Sequence, residues 1–227
     1  MLELSDSLSN GIPNITFKDV SFLWPRKNDY VINKCSFSIN KSGLWMIVGR
    51  NGSGKSTLLK LINGILKPSS GVINCLANVG MVFQNPDHQI LMPNCRSELL
   101  LNINQKFSRK DISSKIDIAL NKVGLTGFEK RPIHTLSGGQ KQRLTIACSL
   151  ISGRNFVLMD EPTALLDSSS QLKVLEIIKD LTRSKRNPFT VLWITHRLEE
   201  LRYADAVAEM KNGNLSDWQK PSNFQYN

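Results

Sequence analysis

The sequence is poor in the features that mark secreted, metal-built or membrane-spanning chains. Its four cysteines (Cys35, Cys75, Cys95, Cys148) are widely spaced. They form no CxxC pair and no Cys/His cluster, which argues against a zinc site and against a disulfide framework. The three histidines, His88, His134 and His196, stand too far apart for helical metal-ligand spacing. No apolar run approaches the ~20 residues that cross a bilayer. The longest are stretches such as 45–48 and 156–159, so a membrane role is expected to come through a partner. The first residues, MLELSDSLSNG, carry acids where a signal peptide has a basic start, and they lack its apolar centre. Internal repeats, low-complexity tracts and Pro/Gly/Ser linkers are also missing, which leaves one large domain as the expectation for 227 residues.

What is present is ordinary globular composition, 41% hydrophobic and 21% charged, which excludes disordered, collagen-like and coiled-coil chains. Lys and Arg number 29 against 19 Asp and Glu, a net charge of +10. That balance favours polyanionic neighbours such as nucleic acid, lipid headgroups or nucleotides, without choosing among them.

Cys35, Phe37 and Ile39 alternate with polar residues as in a half-buried strand. Residues 15–22 alternate less cleanly, and turn formers at 25–29 separate the two runs as in an antiparallel pair. Beyond residue 43 the texture changes. Residues 44–48, 156–159 and 191–194 are nearly all apolar, as strands covered on both faces of a parallel sheet should be. Helical spacing lies between them: Leu58, Leu61, Ile62 and Ile65 in one stretch, Val174, Leu175, Ile178 and Leu181 in another, the latter stopped by Asn187-Pro188. The fold class is α/β. Residues 87–135 hold no buried strand run. Ile112, Ile116, Ala119, Leu120 and Val123 make a helical face there, started by Ser108 and ended by Gly124. This block reads as a mostly helical insertion, with Ile90, Leu91 and Met92 as either an exposed patch or core.

Gly49-Arg50-Asn51-Gly52-Ser53-Gly54-Lys55-Ser56 fits GxxxxGK[ST] directly between a strand run and a helix, the context that pattern needs. Glycines let successive N–H groups turn toward phosphate oxygens, and the helix N-terminus adds its positive dipole end. Lys55 is expected to reach the β- and γ-phosphates and the Ser56 hydroxyl to ligate Mg²⁺. At the end of the run 156–159 stand Asp160 and Glu161, the first suited to the metal's water shell and the second to polarising an attacking water. Leu136-Ser137-Gly138-Gly139-Gln140 precedes a second helix with Leu144, Ala147, Cys148 and Ile151 on one face. Ser137 can cap it, and the glycines leave N–H groups able to approach an anion.

This set resembles the nucleotide-binding subunit of ABC transporters over residues 15–215. Residues 49–56 look like the Walker A motif, 136–140 like the ABC signature and 156–161 like Walker B. Gln84 in Val82-Phe83-Gln84 matches the Q-loop, Asp167 the D-loop, and His196 in Ile194-Thr195-His196 the switch histidine. Trp24, before Pro25, matches the aromatic that stacks on adenine.

The resemblance implies a P-loop NTPase core with a mostly parallel sheet flanked by helices, in a single ABC ATPase domain across residues 1–227. Residues 15–84 would hold the antiparallel β part and the P-loop, and 85–135 a helical subdomain. Residues 136–215 would carry signature, Walker B and switch, and 216–227 a tail. It also implies ATP and Mg²⁺, with Glu161, His196, Lys55 and Gln84 in catalysis. ATP contacts would come from Trp24, Gly49, Asn51, Gly52, Ser53, Gly54, Lys55, Ser56 and Thr57. In a head-to-tail dimer, Ser137, Gly138, Gly139, Gln140 and Asp167 of the other half would join them. Ser56, Gln84 and, through water, Asp160 would hold Mg²⁺.

The stretch Val82-Phe83-Gln84-Asn85-Pro86-Asp87-His88-Gln89 is similar to the extended Q-loop of energy-coupling-factor and cobalt/nickel importers. That narrower likeness implies import of a vitamin or metal ion. The chain would pair with itself or a related ATPase, under integral membrane subunits at the cytoplasmic face of the membrane. Two features depart from the family: few residues separate Gly71 from Gln84, so the β part is expected to be trimmed, and Leu165 stands where the D-loop usually has a smaller residue. Other function classes compete. A soluble ABC ATPase of an assembly system, such as iron–sulfur scaffold complexes, lacks a reason for the Asn85 to Gln89 extension. A nucleic-acid-linked ABC protein needs long insertions for which this length leaves no space, so no nucleic-acid partner is expected. Intact Lys55, Asp160, Glu161 and His196 speak against a degenerate regulatory subunit.

Overall fold

The computed structural model describes residues 15–103, 107–184 and 189–226. The chain runs through strands β1 (Ile15–Phe22), β2 (Ile32–Ile39) and β3 (Gly43–Val48), helix α1 (Lys55–Ile62), and strands β4 (Ser70–Cys75) and β5 (Val79–Val82). Helices α2 (Cys95–Leu100), α3 (Arg109–Lys122) and α4 (Gly138–Ile151) follow. Then come β6 (Phe156–Asp160), α5 (Ser168–Thr182), β7 (Thr190–Thr195), β8 (Ala206–Lys211) and β9 (Asn214–Leu215).

The three apolar runs become β3, β6 and β7, neighbours in a six-stranded sheet ordered β5-β6-β7-β3-β8-β9. Its pairings are parallel except β8 with β9. Period two explains why these strands are apolar throughout. Leu44, Met46, Val48, Val157, Met159, Val191 and Trp193 face one core, shared with α3, α4 and α5. Ile47, Leu158, Leu192 and Ile194 face a second, shared with α1, β1 and β2.

β1 pairs antiparallel with β2 on one side and β4 on the other, making a three-stranded sheet. The imperfect alternation of β1 has a physical cause. Asp19 sits at φ 50°, the register shifts between Phe17 and Val20, and both Phe17 and Val20 therefore face the core. Gly71 crosses this bulge so closely that a Cβ there would lie 2.4 Å from the Asp19 carbonyl oxygen. Residues 76–78 alone link β4 to β5.

Two sequence expectations shift. Ile65 does not extend the α1 face: Asn63 caps the helix, Gly64 takes φ 73°, and Ile65 is left 60% exposed. α5 ends at Thr182 with Arg183 as its cap, and Asn187-Pro188 lie outside the described residues. In the block between β5 and α4, the Ser108 side chain accepts from the Asp111 N–H to start α3, and α2, not foreseen, starts on Asn94. Ile90 packs against the larger core and Leu91 is 76% exposed. Among the described residues no helix is long and apolar enough to cross a membrane.

Candidate nucleotide site

At the carboxyl edge of the parallel sheet, β3 ends and the chain turns through Gly49 to Gly54 into α1. Glycine is required there: Gly54 takes φ 107°, and a Cβ on Gly49 would lie 2.4 Å from the Met210 carbonyl oxygen. α1 begins with no side-chain cap, so its first N–H groups face outward unclaimed by a cap. Lys55 is only 6% exposed and curls under the loop, Nζ donating to the carbonyls of Gly49 (2.7 Å) and Arg50 (3.0 Å). Burial lowers its pKa, opposed by the charges of Glu161 and Asp160. Ser53 Oγ is buried with no hydrogen-bond partner. A loop that spends its lysine on its own carbonyls and orphans a hydroxyl is shaped around something outside the chain.

β6 delivers the two carboxylates. Burial raises the Asp160 pKa, and a hydrogen bond from the Ser56 hydroxyl works against that rise. Glu161 sits at φ 46°, a conformation that costs a non-glycine residue about 1–3 kcal/mol. Its N–H donates to the Ile194 carbonyl (3.0 Å), which pins the end of β6 to β7, and its Oε2 lies 3.1 Å from Nδ1 of His196. Hence β6 and β7 together bring Glu161 and His196 into contact across the sheet edge.

A cavity of about 430 Å³ opens beside these groups. Trp24 and Val31 line it from the antiparallel part. Asn51, Gly52, Gly54, Lys55, Ser56 and Thr57 line it from the loop and α1, and Glu161 from the end of β6. Trp24 is held edge-on against Phe22, ring centroids 5.0 Å apart. The donor set beside Lys55, the Ser56 hydroxyl and the Asp160 carboxylate, is all oxygen. Among the described residues no group of three or more His, Cys, Asp or Glu is placed to hold a metal ion by itself. Such a sparse oxygen set fits Mg²⁺, which is commonly held by one or two protein oxygens together with water and phosphate.

The glycine-rich turn before α4 is different. The Ser137 side chain accepts from the Gln140 N–H, and the Gln140 side chain accepts in return from the Ser137 N–H, a closed capping box. Gly139 has a packing reason, since a Cβ there would lie 2.5 Å from Ser170 Oγ at the start of α5. None of residues 137–140 lines the cavity beside Lys55. Asp167 caps α5, accepting from Ser169 Oγ (2.6 Å) and the Ser170 N–H (3.0 Å), bonds that hold its carboxyl well below the usual range. Gln84 is exposed on a braced loop: the Phe83 N–H donates to Gln89 Oε1 (3.3 Å) and the Phe83 carbonyl accepts from Gln142 Nε2 (3.2 Å). His88 and His134 are exposed, each in a short 3₁₀ turn. Val31 lines the cavity without any local sequence pattern to announce it, because its place there is set by three-dimensional neighbours.

A glycine-rich loop at the carboxyl edge of a parallel sheet, with a buried lysine beneath it and paired carboxylates beside it, defines a P-loop nucleotide hydrolase. Residues 32–164 match the family described as ABC transporter. The chain belongs to that family and is an ATPase of it. It is 44% identical over 187 residues to ABC transporter I family member 10 of Arabidopsis thaliana, covering 82% of this chain and 69% of that protein. It is 35% identical over 218 residues to energy-coupling factor transporter ATP-binding protein EcfA1 of Lactobacillus gasseri, covering 88% and 76%. The solved structure of cbiO1 from Clostridium perfringens, described as part of the ABC transporter complex cbiONQ, matches with TM-score 0.84 and 28% identity over 92% of this chain and 88% of that one. The likeness is thus to the energy-coupling-factor and cobalt-type branch.

Proposed function

We propose that this chain is the ATP-hydrolysing subunit of an importer for a small solute, a vitamin or a metal ion, working through separate integral membrane subunits at the cytoplasmic face. The observation that carries the catalytic part is the Glu161–His196 contact beside a cavity of about 430 Å³ lined by Lys55 and Ser56. In this reading Trp24 stacks on adenine, and Asn51, Gly52, Ser53, Gly54 and Thr57 surround the phosphates. Lys55 exchanges its carbonyl partners Gly49 and Arg50 for phosphate oxygens. Mg²⁺ on Ser56, and through water on Asp160, would supply neutralisation of charge on the phosphates. Glu161 orients water for in-line attack, while His196 and Gln84 report the γ-phosphate. Turnover requires a second ATPase subunit, whose Ser137, Gly138, Gly139, Gln140 and Asp167 complete the site; the absence of those residues from this chain's own cavity supports that reading. Exposed Leu165 would sit at the seam between the two subunits. The membrane partner would dock on the helical block beside Gln84, where Phe83, Leu91, Leu100 and Leu101 are exposed.

The test is purification with companions in mild detergent, identification of the co-purifying membrane proteins, and measurement of ATP hydrolysis with and without Lys55→Ala. Splitting of ATP that vanishes in the variant is expected. Hydrolysis indifferent to Lys55 would end the catalytic reading, and companions lacking any integral membrane protein would end the transport reading.

A further inference from the structure

Glu200 is a carboxylate buried to 2% exposure in the turn that follows β7, and the nucleotide cavity does not include it. Both of its oxygens are engaged. Oε1 accepts from the Thr163 hydroxyl and Oε2 from Trp193 Nε1 at 3.0 Å. Arg197 Nε stands 3.7 Å from Oε1, and the same guanidinium reaches Glu199 at 2.7 Å. The placement of these partners in the chain is the telling point. Thr163 is two residues after Glu161, Arg197 is the residue after His196, and Trp193 lies in the strand that delivers His196. One carboxylate therefore ties down the chain on both sides of the Glu161–His196 contact. Glu161 itself sits in an unfavourable backbone conformation, which persists only where its surroundings over-determine it.

We propose that Glu200 is a positioning residue for hydrolysis, setting the geometry of Glu161 against His196 from beneath the site. This rests on the reading of that pair as the water-orienting groups. A buried charge with three polar partners leaves its neighbours unpaired when it is removed, so the end of β6 and the end of β7 lose their common anchor. A displacement on the order of 1 Å is enough to cost about 100-fold in rate.

The experiment measures ATP turnover of the purified ATPase with its transporter partners, for Glu200→Ala, Glu200→Gln and Thr163→Val, each alone and combined with His196→Ala. Nucleotide affinity and melting temperature are recorded alongside. Expected for Glu200→Ala is a kcat loss of about 10- to 100-fold with KM for ATP unchanged. Glu200→Gln recovers most of it, because its amide can donate to the Thr163 hydroxyl while its carbonyl still accepts from Trp193. Thr163→Val, which deletes one hydroxyl and keeps the shape, gives a smaller kcat loss and guards against an unfolded Glu200→Ala protein. In the His196→Ala background all three losses shrink toward none, since groups acting as one unit are non-additive. Equal fold-losses in both backgrounds, or losses that follow melting temperature and raise KM, would overturn the proposal. Should His196→Ala and Glu161→Gln themselves leave turnover intact, it is the reading of the catalytic pair that falls.

Discussion

Helices α1 and α4 both start on glycine-rich turns that sequence alone reads as anion sites, yet their first turns are satisfied in opposite ways. At α1 the cap position is Gly54 in a left-handed conformation, with no side chain to meet the first N–H groups. Lys55 is folded beneath the loop and Ser53 is orphaned. At α4 the Ser137–Gln140 box closes on itself, and Gly139 is spent on contact with Ser170. Glycine content does not separate the two; the cap does. An uncapped turn over a cavity is incomplete within one chain, whereas a capped and exposed turn is complete alone and gains a ligand only when another surface brings one. That asymmetry is what a head-to-tail pair of ATPases would use.

The comparison breaks most sharply at turnover. Glu161→Gln should lower ATP hydrolysis by about 10²- to 10⁴-fold, the range for loss of a general base, while nucleotide binding persists. Chromatography with ATP should then show the variant accumulating as a dimer. A variant that binds ATP yet stays monomeric would remove the two-chain reading of the α4 turn. Next in size is a reciprocal pair. Ser56→Ala should weaken Mg²⁺-nucleotide binding at least about 10-fold, by analogy with metal-site substitutions, and titration without metal should show little difference. Ser137→Ala should leave binding to the monomer unchanged. It removes a cap, which costs about 1 kcal/mol, so calorimetry should find the melting temperature about 2–4 °C lower. If Ser137→Ala weakened binding to the monomer as much as Ser56→Ala, the two turns would be equivalent after all.

The sequence made the uncapped turn legible because eight residues at fixed spacing sit between a strand run and a helix, and the spacing itself encodes the geometry. The three central strands were equally plain, since burial on both faces leaves no polar positions. The capping box was readable at Ser137 and Gln140, but its consequence was not. Whether capped N–H groups remain available depends on side-chain rotamers and on Ser170, thirty-odd residues away. The same holds for Glu161, whose φ of 46° and contact with His196 come from the pairing of β6 with β7. Val31 lines the cavity because the turn before β2 passes so close to the loop that a Cβ on Gly54 would lie 2.7 Å from the Val31 carbonyl oxygen, which no periodicity announces.

Trp24 gives a smaller effect that sharpens what the α1 cavity recognises. Stacking on a base is worth about 1–3 kcal/mol by alanine substitution. Trp24→Ala should therefore raise KM for ATP about 10-fold and barely move kcat, because the ring enters the cavity wall from the antiparallel part and Glu161 from the end of β6. A fall in kcat with KM unchanged would place Trp24 in packing against Phe22 instead.

The smallest effect belongs to the brace between α4 and the loop of Gln84. Lys141 Nζ lies 2.7 Å from Asp87 Oδ1, but Asp87 is 59% exposed, so the pair contributes at most about 1 kcal/mol and salt screens it. The neighbouring Gln142 is fully buried and donates to the Phe83 carbonyl, while its own Oε1 finds no partner. Gln142→Leu gives up one hydrogen bond and one orphaned oxygen together, which nearly offset each other in stability. If the brace serves only folding, Asp87→Ala and Gln142→Leu should both be silent in turnover. If it ties the loop of Gln84 to the first turn of α4, Asp87→Ala should leave basal hydrolysis and melting temperature nearly unchanged. It should lower only the stimulation of hydrolysis by the membrane partner, and that difference should fade as ionic strength rises.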